Sequence, residues 1–146
     1  MALKFSQIRS AFATQISTIS GFNLCRQLPD YFGRTRESIA HKAFSVGISQ
    51  TNQIDAERQR RSVGVYADSS VQVKFAYRLR PLDVYPTDYD LALDAEELVI
   101  NKCLSSYASI RPEVQVRYLN SDRVSTESSE YMIHTIDFQV LHTIGE

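Results

Sequence analysis

Val71-Gln72-Val73-Lys74-Phe75-Ala76-Tyr77-Arg78-Leu79-Arg80, closed by Pro81, is the stretch whose reading decides the fold. Odd positions carry Val71, Val73, Phe75, Tyr77 and Leu79, and even positions carry Gln72, Lys74, Ala76, Arg78 and Arg80. A period of two predicts a strand with one face on a core. Val, Phe and Tyr suit a pleated, half-buried surface, and Pro81 ends the ladder by removing a donor. The pattern is that of a central or near-central antiparallel strand. Its other face is cationic through Lys74, Arg78 and Arg80. A solvated surface is the plainer reading of that face, and a docking surface the sharper one.

On the N-terminal side, residues 63–67 begin the same strand early, with residues 68–70 as a bulge or break. Phe44, Val46 and Ile48 alternate in an earlier strand, and residues 49–62 between the two are polar and end in Arg58, Arg60 and Arg61. They read as a long loop or ribbon tip, a length at which loops are often functional. Phe5, Ile8, Phe12, Ile16 and Ile19 recur at helical spacing before Gly21, which makes a first amphipathic helix with a C-terminal stop. Residues 22–39 are irregular, with turn chemistry at Pro29-Asp30 and Phe32-Gly33.

On the C-terminal side, Thr87 is placed to cap a helix over about residues 88–104, with Asp88 and Asp90 in its first turn where carboxylates favour the helix dipole. Its main apolar face is Leu91, Ala92, Ala95, Leu98, Val99 and Cys103. A second stripe of Leu93, Ile100 and Leu104 lies roughly opposite and meets either the first helix or another subunit. Val114, Val116 and Tyr118 alternate in a third strand, residues 120–130 form a second polar loop, and Met132, His134, Ile136, Phe138 and Val140 line a last strand. The order αββαββ predicts one α+β domain over residues 1–146, with an antiparallel or mixed four-stranded sheet and two helices packed on one face.

The bulk numbers narrow the function classes. The chain has 146 residues, 16 Lys/Arg against 17 Asp/Glu, and a formal net charge of -1. That balance does not suit a general binder of nucleic acid or of membrane surfaces. The charge is uneven: residues 1–62 hold 9 Lys/Arg and 4 Asp/Glu, a net of +5, while residues 63–146 hold 7 and 13, a net of -6. Such opposed parts could let copies stack head to tail. Cys25 and Cys103 sit in apolar patterning and read as buried thiols of a reducing compartment. Residues 1–12 lack an unbroken apolar run, and nothing approaches the ~20 apolar residues of a membrane span. A soluble protein made in the cytoplasm, with no leader and no membrane partner, is the expectation.

No catalytic or metal-binding pattern stands out. His134 and His142 share a strand face but lie ~26 Å apart at eight strand residues, beyond a common metal. His134 is on the apolar side and reads as a satisfied histidine of the core. Neither cysteine belongs to a C-x-x-C pair. Asp90, Asp94 and Glu97 are neighbours within the acidic group Asp88, Asp90, Asp94, Glu96 and Glu97 and could hold a cation, but a solvated helix face is the plainer reading. No G-x-S-x-G, phosphate-cradling loop or H-E-x-x-H occurs. No enzyme and no cofactor is expected. Arg58, Arg60 and Arg61, leading into Lys74, Arg78 and Arg80, form the best stretch for a small nucleic-acid-binding adaptor. The nearby Tyr66, Phe75 and Tyr77 do not make a stacking platform.

The layout as a whole resembles the tail-terminator, or tail-to-head joining, proteins of long-tailed bacteriophages and phage-like gene transfer particles. The likeness rests on the order of elements: the N-terminal helix, the loop Leu28-Pro29-Asp30-Tyr31-Phe32-Gly33, and the run Ser38-Ile39-Ala40-His41-Lys42-Ala43-Phe44 into the first strand. The basic loop, the long alternating strand, the acid-capped helix and the final hairpin with a polar tip complete it. Head-completion and neck proteins of the same particles have comparable layouts and are the alternative. The resemblance implies a homohexameric ring in the virion that caps the tail tube, stops its polymerisation and meets the head connector, with DNA passing through rather than being bound. On that expectation Leu93, Ile100 and Leu104 contribute to subunit contacts. Arg58, Arg60, Arg61, Asp122 and Arg123 on the two loops touch the tail tube or another partner, and the cationic strand face lines the ring or a neighbour.

Overall fold

A computed structural model describes residues 4–24, 41–53, 65–79, 85–105, 115–125 and 131–144. Two helices, α1 (Phe5–Ser17) and α2 (Tyr85–Ser105), join five strands: β1 (Asn23–Leu24), β2 (Ala43–Gln53), β3 (Val65–Arg78), β4 (Gln115–Ser125) and β5 (Tyr131–Ile144). The sheet order is β1-β2-β3-β5-β4. Among the described residues only β1 runs parallel to its neighbour, so the sheet is mixed. The α+β class and the packing of both helices on one face stand, but the described residues form five strands rather than four. Asn23 and Leu24 pair with Ala43 and Phe44. Two residues are too few to carry a period, so this short edge has no signature in the sequence.

The decisive stretch is central, as its alternation predicts. Val71, Val73 and Phe75 are fully buried while Gln72 and Lys74 are half-buried. The strand runs unbroken from Val65, opposite Ile144, to Arg78, opposite Tyr131. Residues 68–70 are therefore not a break. The irregularity lies instead in β2, between Ile48 and Gln50. Asp and Ser suit strands poorly, but pairing on both sides overrides that preference.

Both expected loops are shorter than their polarity suggested. Residues 49–53 continue β2, and residues 120–125 continue β4 against β5. The second half of β4 is polar and largely exposed, so residues 120–125 read as a loop although they are paired as strand. Residues 54–64 and 126–130 lie outside the described residues.

Ile8, Phe12 and Ile16 of α1 are fully buried. Phe12 meets Phe138 edge-on at 5.4 Å, and Phe22 meets Phe75 at 5.3 Å. Gly21 takes φ +84 just after α1, and a Cβ there would approach Lys42 Cδ to 3.2 Å. Lys42 itself has φ 59, with its ammonium on Ser20 O and over the Phe22 ring. This close approach fixes the turn from α1 into the edge of the sheet.

Helix α2 begins at Tyr85, earlier than the Thr87 cap implied, with Pro86 in its first turn, where the missing N–H has no intrahelical partner to lose. Ala92, Ala95, Val99 and Cys103 face the core, and burial raises the pKa of the Cys103 thiol. Leu91 and Leu98 do not: each is 45% exposed. Their place against the sheet is taken by Asp88 and Glu96, 3% and 4% exposed. The helix is thus rotated toward its carboxylates, contrary to a wholly solvated acidic face. Among the described residues no helix is long and apolar enough to cross a membrane.

Candidate functional site

The main buried polar cluster begins at Glu96. Its Oε1 lies 2.8 Å from His134 Nδ1 on β5, and its Oε2 accepts from Arg123 on β4 at 2.5 Å and from Ser121 Oγ at 3.3 Å. Tyr118 OH lies 2.9 Å from the same Ser121 hydroxyl. His134 is fully buried and stacked on Phe75, with ring centroids 4.3 Å apart and planes 2° from parallel. Burial pushes its pKa down, more than the adjoining carboxylate raises it. A neutral imidazole with Nδ1–H donating to Glu96 satisfies both trends, and Nε2 has no hydrogen-bond partner. Burial pushes the Glu96 carboxyl up, but the hydrogen bonds from His134 and Arg123 outweigh it and hold the group below its ordinary value. A carboxylate–imidazole pair can serve proton transfer, yet a fully buried ring stacked on Phe75 offers no substrate access. What the cluster does is tie α2 to β5 and to the edge strand.

A second pair has the composition of a nucleophile and its base. Ser69 Oγ lies 2.6 Å from His142 Nε2 and 2.9 Å from Thr51 Oγ1, and Phe5 meets the imidazole edge-on at 5.8 Å. Ser69 is fully buried and His142 is 1% exposed. A serine activated by histidine must reach a substrate, and this one faces the underside of α1. It satisfies polar groups inside the sheet.

An open cleft of about 260 Å³ lies where β3 ends and α2 begins, lined by His41, Tyr77, Arg78, Asp88 and Leu91. His41 Nδ1 accepts the Arg78 backbone N–H at 3.0 Å, which assigns the remaining proton to Nε2, and the ring stands edge-on to Tyr77 at 4.6 Å. Burial, then Lys42 and Arg78, lower its pKa. The cleft holds mixed charge and no nucleophile. Among the described residues, no group of three or more His, Cys, Asp or Glu side chains could hold a metal.

The residues singled out from sequence fall into separate places. Arg58, Arg60, Arg61 and Arg80 lie outside the described residues. Lys74 is half-buried and Arg78 exposed on the sheet face away from the helices, a face they share with Asp137, which accepts from Gln72 at 3.2 Å, and Asp68, which accepts from Gln139 at 2.6 Å. That face is not uniformly cationic. Asp122 and Arg123 lie within β4 rather than on a loop tip, and Arg123 is engaged with Glu96.

Leu93, Ile100 and Leu104 are brought together with the edge strand. Helical geometry sets Tyr89, Leu93 and Ile100 on the flank of Glu96, the residue that reaches across to Arg123 of β4. Leu93 and Ile100 are half-buried, and Ile100 packs against the core. Beside them Tyr89 is 37% exposed, Leu104 39% and Tyr118 41%; on β4, Leu119 at the bulge is 50% exposed and Val124, opposite Ile133 on the face away from the helices, 64%. The sequence reading passed over Tyr89 because it stands among the carboxylates that open the helix, Leu119 because it took the outward position with Gln115 and Arg117 in the third strand, and Val124 because it fell in the expected 120–130 loop. It missed the Glu96–His134 contact because nothing local links residues 38 positions apart. Searches find no protein-family model that matches the chain and no curated protein that matches it.

Proposed function

We propose that this chain is a non-catalytic assembly subunit that acts as an oligomer, joining copies through the flank formed by α2 and β4. The observation that carries the reading is the set of exposed apolar side chains there, Tyr89 and Leu104 on the helix and Tyr118 on the helix-facing side of the strand, with Leu119 exposed at the bulge and Val124 on the strand's other face. Single exposed apolar residues are ordinary; a clustered set along one edge marks a contact surface. The free outer edge of β4, paired only to β5 among the described residues, adds to it. Taken with the layout's likeness to tail-terminator proteins, the oligomer is a homohexameric ring of the virion. It caps the tail tube, halts tube growth and joins the tail to the head connector.

The alternative of a small nucleic-acid adaptor is weaker, because the face carrying Lys74 and Arg78 is balanced by Asp68 and Asp137. The test is the absolute mass by light scattering after size exclusion, at low and high salt, followed by negative-stain imaging with tail tubes. The expected species is near six times 16.6 kDa, free or on the tube. A monomer at every concentration, alone and with tubes, would overturn the proposal.

A further inference from the structure

The α2–β4 flank stands at one end of the sheet, and the α1–β1–β2 flank at the other. Their charges are opposite. Residues 4–24 and 41–53 contain Lys4, Arg9 and Lys42 and no Asp or Glu, a net of +3. Residues 85–105 and 115–125 contain Asp88, Asp90, Asp94, Glu96, Glu97 and Asp122 against Lys102, Arg117 and Arg123, a net of -3. Asp90, Asp94 and Glu97 are exposed on the outward side of α2, beside the apolar flank. The positive end also carries apolar surface at Leu24, 46% exposed. Phe5, one helical turn before Arg9 on α1, turns inward against His142 of β5, whereas Arg9 Nε donates to Val46 O at 2.8 Å. That bond also blunts the outer edge of β2, so the contact surface at this end is made of side chains rather than free strand.

From this we infer that the occupant of the α2–β4 flank is the α1–β1–β2 flank of a second copy of this chain, docked head to tail. The inference rests on the assembly reading above and specifies its geometry. A two-fold contact of α2 with α2 would set Asp90, Asp94 and Glu97 against their own counterparts, whereas the head-to-tail contact sets them against Lys4 and Arg9. A heterologous contact of this kind closes into a ring when its rotation divides the circle, and otherwise runs on as a filament. Exposed charges at its rim make association salt-dependent.

The experiment is a charge swap read by mass photometry over a concentration series. The acidic-end variant is D94K/E97K and the basic-end variant K4E/R9E. Because Arg9 supports β2, K4E/S6E serves as a second basic-end variant. Each variant alone should raise the concentration for half-assembly roughly tenfold or more. A 1:1 mixture should restore assembly, since each reversed end then finds a complementary end on the other chain. If wild type assembles but either variant, folded by circular dichroism, assembles equally well, or the mixture does no better than its components, the docking geometry is overturned and the ring survives. If wild type stays monomeric at every concentration, with and without tail tubes, both fall.

Discussion

Replacing Glu96 with Ala tests how the edge of the sheet is held. The substitution removes the acceptor of three hydrogen bonds, from His134, Arg123 and Ser121, but the three losses differ. His134 is fully buried, so its Nδ1–H is left without a partner in the core, at a cost of about 1–3 kcal/mol. The Arg123 side chain is 39% exposed and can turn to water, so losing that ion pair costs about 0.2–1 kcal/mol. Ser121 is half-buried and recovers part of its bond from solvent. The sum is about 2–4 kcal/mol for Glu96→Ala, against roughly 1 kcal/mol or less for Arg123→Ala. Glu96→Gln keeps an oxygen for His134 and should fall between them. The assay is urea unfolding at pH 7.5, comparing midpoints among variants of equal slope, because a changed slope would signal an altered denatured state. Equal losses for Glu96→Ala and Arg123→Ala would refute the reasoning, since it assigns the energy to the buried imidazole and not to the exposed guanidinium.

The pH dependence of stability follows from the same groups. His134 has a folded-state pKa below its ordinary 6.5, so the unfolded chain binds the proton first; stability is full above about 6.5 and is lost as pH falls through that value toward the folded one. Glu96 is held below its ordinary 4.5, so its contribution is present above 4.5 and is lost below it. Urea midpoints from pH 8 to 4 should therefore be flat, then decline, then decline further; a rise on acidification contradicts this account. Phe75→Ala removes a fully buried ring stacked on His134 and should cost about 3–5 kcal/mol in the same unfolding assay, a much smaller loss denying its central place. Leu104→Glu should abolish assembly in light scattering while leaving the urea midpoint within about 0.5 kcal/mol of wild type, because the side chain is 39% exposed. Ile100→Glu should do the same to assembly but also cost about 1–2 kcal/mol of stability, since that residue packs on the core.

The parts of the fold that were legible are those with a dry face and a wet face. Residues 71–79 of β3, the Ile8, Phe12 and Ile16 stripe of α1, and the even positions of β5 all alternate between core and surface, and their periods say so. Residues at the rims escaped because the same physics leaves no period there. The second half of β4 is polar and mostly exposed, β1 spans two residues, and the far parts of β2 and β3 are strand because they are paired rather than because of their composition. On α2 the difficulty was of another kind. Hydropathy assigns Leu91 and Leu98 to the core and Glu96 to water, whereas a buried histidine 38 residues away reverses the assignment. Only the pairing of β5 with β4 brings His134 and Arg123 together beneath the helix, so no local pattern could have announced the cluster.

The state of β4 bears on how copies meet. A long edge strand invites addition of another strand, and chains that avoid this twist or charge the edge. Here Leu119 is the extra residue of a bulge between Tyr118 and Asn120, and Arg117, Asp122 and Arg123 are charged. The bulge breaks the even spacing of outward N–H and C=O groups that a continuous added strand would need. At the opposite end of the sheet, Arg9 already occupies Val46 O on β2. Both edges are thus protected against ladder formation while both expose apolar side chains, Leu119 and Val124 at one end and Leu24 at the other. A contact between them is therefore made by packed side chains and rim charges. Such a contact fixes a relative rotation between copies through side-chain shape and charge, which a closed ring requires and an open-ended strand ladder does not supply.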